Sequence, residues 1–235
     1  MQSERGAARS AGVSTAEANA GGKGEGRALD LGARSGMPVA LRRRSRSFAP
    51  EPFVFRMHPR LAELLAHADQ TRAELLAFLD SIPADVFGAP RDDGAWCPAQ
   101  YAAHLHLVES SSLRALFRAF RTARAAGLAA ETETSSVVGA LDRTDLVAGT
   151  RKLDAPEFTR PSDLPDRATI RARLAESRAG LHTWAAEADG FALAQVSFPH
   201  PVLGTLNLYE WVAMIDGHER RHLRQMQAQL ADPQH

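Results

Sequence analysis

Four stretches of this chain repeat apolar residues at intervals of three and four, and no segment reads as a strand longer than Gln195 to Phe198. Such spacing lines each stretch along one face of an α-helix, so the chain has to build its core from helix faces. The first stretch runs from His58 to Ile82 with Leu61, Leu64, Leu65, Ala68, Leu75, Leu76, Leu79 and Ile82 in phase, and Pro83 stops it. The second begins at Trp96-Cys97-Pro98 and reaches about Ala126, ahead of Gly127. Pro98 suits a first helical position, while Cys97 stands where Ser or Thr is the commoner cap.

Residues 128–165 are rich in Thr, Ser, Pro and Asp and form a long crossover, with a short apolar pattern at Val137 to Val147 that predicts a helical turn or two. Asp166 caps a third helix with Ile170, Leu174, Ser177, Leu181, Trp184 and Ala188 on one face, ended by Gly190. Gly204 to Leu208 leads into the fourth. There Asn207 and Glu210 make a capping box, with Leu206 and Trp211 as the hydrophobic staple. Its inward stripe is Trp211, Met214, Ile215, His218, His222, Met226 and Gln229 or Leu230. The prediction is all-α: a four-helix bundle over residues 57–232 with one long crossover loop.

Residues 1–56 differ in kind. They are rich in Gly, Ala, Ser and Arg without apolar periodicity, which predicts a disordered basic tail. Arg43-Arg44 is followed by Ser47-Phe48-Ala49-Pro50-Glu51-Pro52 rather than the apolar run of a twin-arginine signal. The tail carries ten of the 28 Lys/Arg and five of the 28 Asp/Glu, so the rest is acidic by a net charge of −5. That balance argues against a nucleic-acid partner. No stretch approaches the roughly eighteen consecutive apolar residues of a membrane span, and the expected location is cytoplasmic. With Cys97 the one cysteine, no internal disulfide or four-cysteine metal site can form, and any metal must use His and carboxylates.

His218 and His222 are four apart, which stacks their rings a turn apart on the core-facing side of the last helix. His104 is in phase with Tyr101, Leu105 and Val108 and is directed inward as well. Three converging imidazoles can hold one divalent metal ion. Buried without one, they leave several polar groups to satisfy, at roughly 1–3 kcal/mol for each failure. His106 is turned to the opposite face, and His58, His67, His182, His200 and His235 have no partner at ligand spacing, so surface or capping roles are expected for them.

His218-Glu219-Arg220-Arg221-His222 matches the HExxH pattern of zinc proteases. Only thirteen residues follow His222, no sheet is evident to seat a peptide, and Glu219 is turned about 100° off the histidine face. A protease is therefore not the reading. Glu219-x-x-His222 is also half of a di-iron carboxylate motif, but no other His has Glu three residues before it.

These features together resemble the DinB-like superfamily, which includes the family named after a bacterial damage-inducible protein and the YfiT-type metal-dependent hydrolases. The resemblance covers nearly all of residues 57–232. It rests on Trp96-Cys97-Pro98 leading to His104-Leu105, on Pro156, Pro161 and Pro165 in the crossover, on Phe198-Pro199-His200-Pro201 through Gly204, and on Glu210-Trp211 followed by His218-Glu219-Arg220-Arg221-His222-Leu223-Arg224-Gln225. It implies a four-helix bundle, frequently a homodimer, with one nickel, zinc or similar ion on His104, His218 and His222. It implies no single reaction, since some members resemble thiol-dependent transferases or isomerases and others are called hydrolases.

Two functions follow. In the first, an enzyme, three histidines leave an open metal position for a water or a low-molecular-weight thiol acting on a small-molecule substrate. Glu109, Glu210, Glu219 and Gln225 are the candidates to anchor the outer ring nitrogens. In the second, a non-catalytic bundle, the ion only staples helix to helix.

Overall fold

The computed structural model describes residues 56–91, 94–138 and 155–231. Helix α1 (Pro59–Ser81) opens with a proline in its first turn, where no amide hydrogen is needed. The His58 amide donates to Asp189 Oδ1 at 2.8 Å and ties this end to the chain beyond the third long helix. A one-turn helix, α2 (Ala84–Phe87), follows directly and buries Phe87. The reading of Pro83 as a stop omits it, because a proline that ends one helix is equally suited to precede the next.

Helix α3 (Pro98–Ala125) starts from Cys97, whose amide donates to Gln100 Oε1 at 3.0 Å. Helix α4 (Arg167–Ala188) is capped by Asp166, which accepts the Thr169 amide at 2.7 Å. Helix α5 (Leu208–Ala231) carries the expected capping box: Glu210 N–H donates to Asn207 Oδ1 at 3.0 Å and Asn207 N–H to Glu210 Oε2 at 2.7 Å. Leu206 and Trp211 are both buried beside it. Helix α3 packs on α4 and α5, and α1 packs on α5. The long helices form the expected bundle, and no described helix is long and apolar enough to cross a membrane.

One β-hairpin is added. Strands β1 (Ser197–His200) and β2 (Gly204–Asn207) pair antiparallel, with Pro199 opposite Thr205 and His200 opposite Gly204. Two prolines in Phe198-Pro199-His200-Pro201 hide it from pattern reading, since proline removes a ladder donor and survives only where that donor is not needed. The hairpin feeds straight into the α5 cap. Of the crossover, the short 3-10 turn Glu157–Thr159 lies against α3. The helical pattern expected over 137–147 falls, past Val138, outside the described residues, as does the basic tail of 1–56 up to residue 55.

The core is cut in two across the bundle. One apolar cluster takes Leu61 to Ala68 of α1, Leu113 to Phe120 of α3, Leu181 to Ala188 of α4 and Leu208 to Ile215 of α5. The other takes Leu75 to Ile82, Ala99 to Leu105, Ile170 with Leu174, and Leu223 with Met226. Between them each long helix contributes buried polar groups in the same inward phase: Arg72, Glu109, Ser177 with Arg178, and Glu219. Arg72 Nε and Nη2 donate to Glu219 at 2.7 and 3.1 Å, and Nη2 also to Glu109 at 2.7 Å. Arg178 donates to Glu109 at 3.0 Å and to Glu219 at 2.9 Å. Ser177 adds a 2.5 Å bond to Glu109, and the Leu174 carbonyl accepts from Arg72. Two arginines thus meet two buried carboxylates, and Arg178 also donates to a third, the partly exposed Asp69, at 3.2 Å. At Glu219 burial is the largest influence and raises the carboxyl. Burial alone would raise the Glu109 carboxyl, but Arg72, Arg178 and Ser177 outweigh it and hold the group below its ordinary range.

Candidate metal centre

Beside this charged layer, where α3 faces α5, the described residues contain one group of three side chains with ligand atoms close enough for a metal: His104, His218 and His222, all within 4.8 Å of one another. His218 Nε2 stands 3.3 Å from His104 Nε2 and 3.1 Å from His222 Nε2. Nitrogens roughly 2.0–2.1 Å from a shared ion lie about 3.3 Å apart in a tetrahedral site and about 3.0 Å apart on an octahedral face. The two spacings from His218 fall at these values, and the third pair lies within the 4.8 Å of the group.

The outer nitrogens decide what the inner ones offer. His104 Nδ1 lies 2.8 Å from the Thr159 carbonyl, which can only accept, so Nδ1 carries the hydrogen and Nε2 presents a lone pair. His222 Nδ1 lies 2.6 Å from Gln225 Oε1, which fixes the same tautomer. His218 Nε2 sits between these two lone pairs and has at most one hydrogen to give. At least one lone pair therefore faces its neighbours without a proton, an arrangement that a cation completes.

Burial reinforces this. It pushes the His218 ring well below its ordinary range and His222 down to about 3, each helped by the neighbouring imidazoles. His104 is lowered as well, burial outweighing the pull of the Thr159 carbonyl. All three are neutral at neutral pH, the protonation state that binds a metal. The rings are walled by aromatics, with Trp96 4.9 Å from His104 and Tyr101 5.3 Å from His222 between ring centres. The donor set, three neutral imidazoles with two outer nitrogens anchored, fits a divalent metal ion that accepts imidazole ligands.

The other expectations separate. Gln225 stands at an outer nitrogen. Glu219, a candidate for the same role, does not: it gives its oxygens to Arg72 and Arg178, because its position in α5 shares the inward phase of Ile215 and Leu223. Glu109 joins it there, and the Glu210 carboxylate is spent accepting the Asn207 amide at the α5 cap. The Thr159 carbonyl is the anchor that sequence reasoning misses. It lies in a loop without periodicity, and a backbone oxygen leaves no side-chain signal. His200 caps its own turn, Nδ1 accepting the Val202 and Leu203 amides at 3.1 and 3.2 Å. His67 is exposed, His182 reaches Asp69 at 3.1 Å on the surface, and His106 is partly buried rather than exposed. His235 lies outside the described residues.

The chain is similar to a solved structure described as TT2238, a four-helix bundle protein, with 28% identity over 72% of this chain and 98% of that one and a TM-score of 0.49. No curated protein matches it. The sequence profile of the DinB superfamily matches residues 50–226, which takes in all of α1 to α4, the hairpin and most of α5 with its two histidines. The chain belongs to the DinB superfamily.

Proposed function

We propose that this protein is a metal-dependent enzyme of the DinB superfamily, holding one divalent ion on His104, His218 and His222 and acting on a small molecule by hydrolysis or by transfer to a low-molecular-weight thiol. The observation that carries this is the convergence of three Nε2 atoms, with spacings of 3.1 and 3.3 Å and two lone-pair tautomers fixed from outside. When bound, the ion acidifies a water or a thiol placed beside it. The chain's own part is to keep the three rings neutral by burial, to hold two of them in one tautomer through Thr159 and Gln225, and to wall the site with Trp96 and Tyr101. Zinc and nickel are the ions we favour, in a cytoplasmic protein that forms a homodimer.

The non-catalytic alternative, an ion that serves as a staple, is weakened by one observation. The Arg72, Arg178, Glu109 and Glu219 layer already cross-links all four long helices within a turn of His218. With the four helices already held in register, a second cross-link between α3 and α5 is not needed to align them.

The test is turnover. Metal-stripped full-length protein, reloaded with zinc or nickel, is assayed for hydrolysis of an activated ester and for conjugation of a small thiol to an aromatic halide, beside the His218→Ala variant. Metal-restored turnover absent from the variant supports the enzyme. Tight metal binding without turnover of either kind favours the staple.

A further inference from the structure

We infer that the buried ring of Arg72, Arg178, Glu109 and Glu219 is a positioning device for the three histidines, setting the rotation and height of α5 against α3. The inference rests on the metal-binding reading above. Each arginine donates to both carboxylates, so the four charges close a ring, and each of the four long helices supplies one member. Glu219 is the residue directly after His218. Successive helical residues are about 100° apart and rise about 1.5 Å, so gripping the Glu219 carboxylate from α1 and α4 fixes where His218, and His222 a turn later, can point. Glu109 does the same on α3, a little over one turn beyond His104.

An apolar layer at this height would let the helices slide and turn, because burial has no direction. Directed ion pairs would not permit that. Buried ion pairs are poor sources of net stability, and setting register is their best-attested use. A metal site tolerates only about 0.5 Å of error in its ligands. The two apolar clusters above and below the ring supply the cohesion, which leaves alignment as its contribution.

The experiment uses metal-free full-length protein and reads zinc affinity by competition with a chromophoric chelator, together with the visible absorption of the cobalt(II)-loaded form, which reports ligand geometry. Glu219→Gln keeps the shape but removes a charge from the ring. Ser177→Ala removes only the hydroxyl that supports Glu109 and serves as the milder variant should Glu219→Gln fail to fold. Leu64→Ala, in the apolar cluster apart from the ring, destabilises the bundle without touching it. We expect zinc affinity to fall about 10- to 100-fold in Glu219→Gln, the range for groups behind metal ligands, less in Ser177→Ala, and the cobalt bands to shift in both. Leu64→Ala should bind as the native protein does. Native affinity and spectrum in both ring variants, or an equal loss in Leu64→Ala, would overturn the inference while leaving the metal reading intact. A native protein that takes up no zinc overturns the metal reading itself.

Discussion

Two polar clusters lie side by side inside one apolar bundle, and they are built on opposite plans. The arginine-glutamate layer is closed: two arginines meet Glu109 and Glu219, Arg178 also reaches Asp69 at its edge, Ser177 and the Leu174 carbonyl take up remaining groups, and the four central side chains are 2–8% exposed. The histidine cluster is open. Its outer nitrogens are anchored on Thr159 and Gln225, while its inner nitrogens face one another with more lone pairs than hydrogens. A closed cluster serves the fold, whereas an open one calls for something from outside. Burial of polar groups alone does not distinguish structure from function; whether donors and acceptors balance does.

The contrast breaks most visibly under truncation. Arg178→Ala leaves two buried carboxylates short of a partner and should cost about 3–5 kcal/mol in urea unfolding, whereas His218→Ala in metal-free protein should change stability far less, since it removes a lone-pair conflict along with a ring. A similar loss in both variants would erase the distinction. Added ion sharpens it: zinc at a hundredfold excess over its Kd should stabilise the native protein by about 2.7 kcal/mol, seen as a rise in Tm, and should leave His104→Ala or His222→Ala unmoved.

Acid separates the clusters further. His222 and His218 have folded-state pKa values below those of the unfolded chain, so the unfolded chain binds more protons as pH falls. Above about 6.5, the unfolded value, both rings are neutral in either state and cost the fold nothing, and stability is lost as pH drops from there toward the His222 value of about 3. Thermal unfolding of metal-free protein across that window should show the loss, with a flatter profile in a variant lacking both histidines. The smallest effect concerns one anchor: Gln225→Ala should weaken zinc about tenfold with the fold unchanged, measured by chelator competition.

Much of this was legible in the residues. The inward phases of Leu61 to Ile82 and Ile170 to Ala188, the Asn207–Glu210 capping box and the inward facing of His104, His218 and His222 all follow from local rules, because a helix converts spacing directly into facing. The closed layer left a trace as well. Arg72, Glu109, Arg178 and Glu219 each occupy an inward phase, and each interrupts its apolar stripe midway along its helix. Spacing shows that such residues point inward but not which cation meets which anion, since that depends on how four helices align. The hairpin was hidden by Pro199 and Pro201, and the Thr159 anchor by being backbone in an aperiodic loop.

We propose that a metal completes the open histidine cluster. The most direct measurement is elemental analysis by mass spectrometry of tag-free protein purified without added metal, run beside His218→Ala. About one equivalent of a transition metal in the native protein, lost in the variant, is the predicted result. No metal in either, and none taken up on titration with zinc or nickel, would contradict it and leave three histidines that serve packing alone.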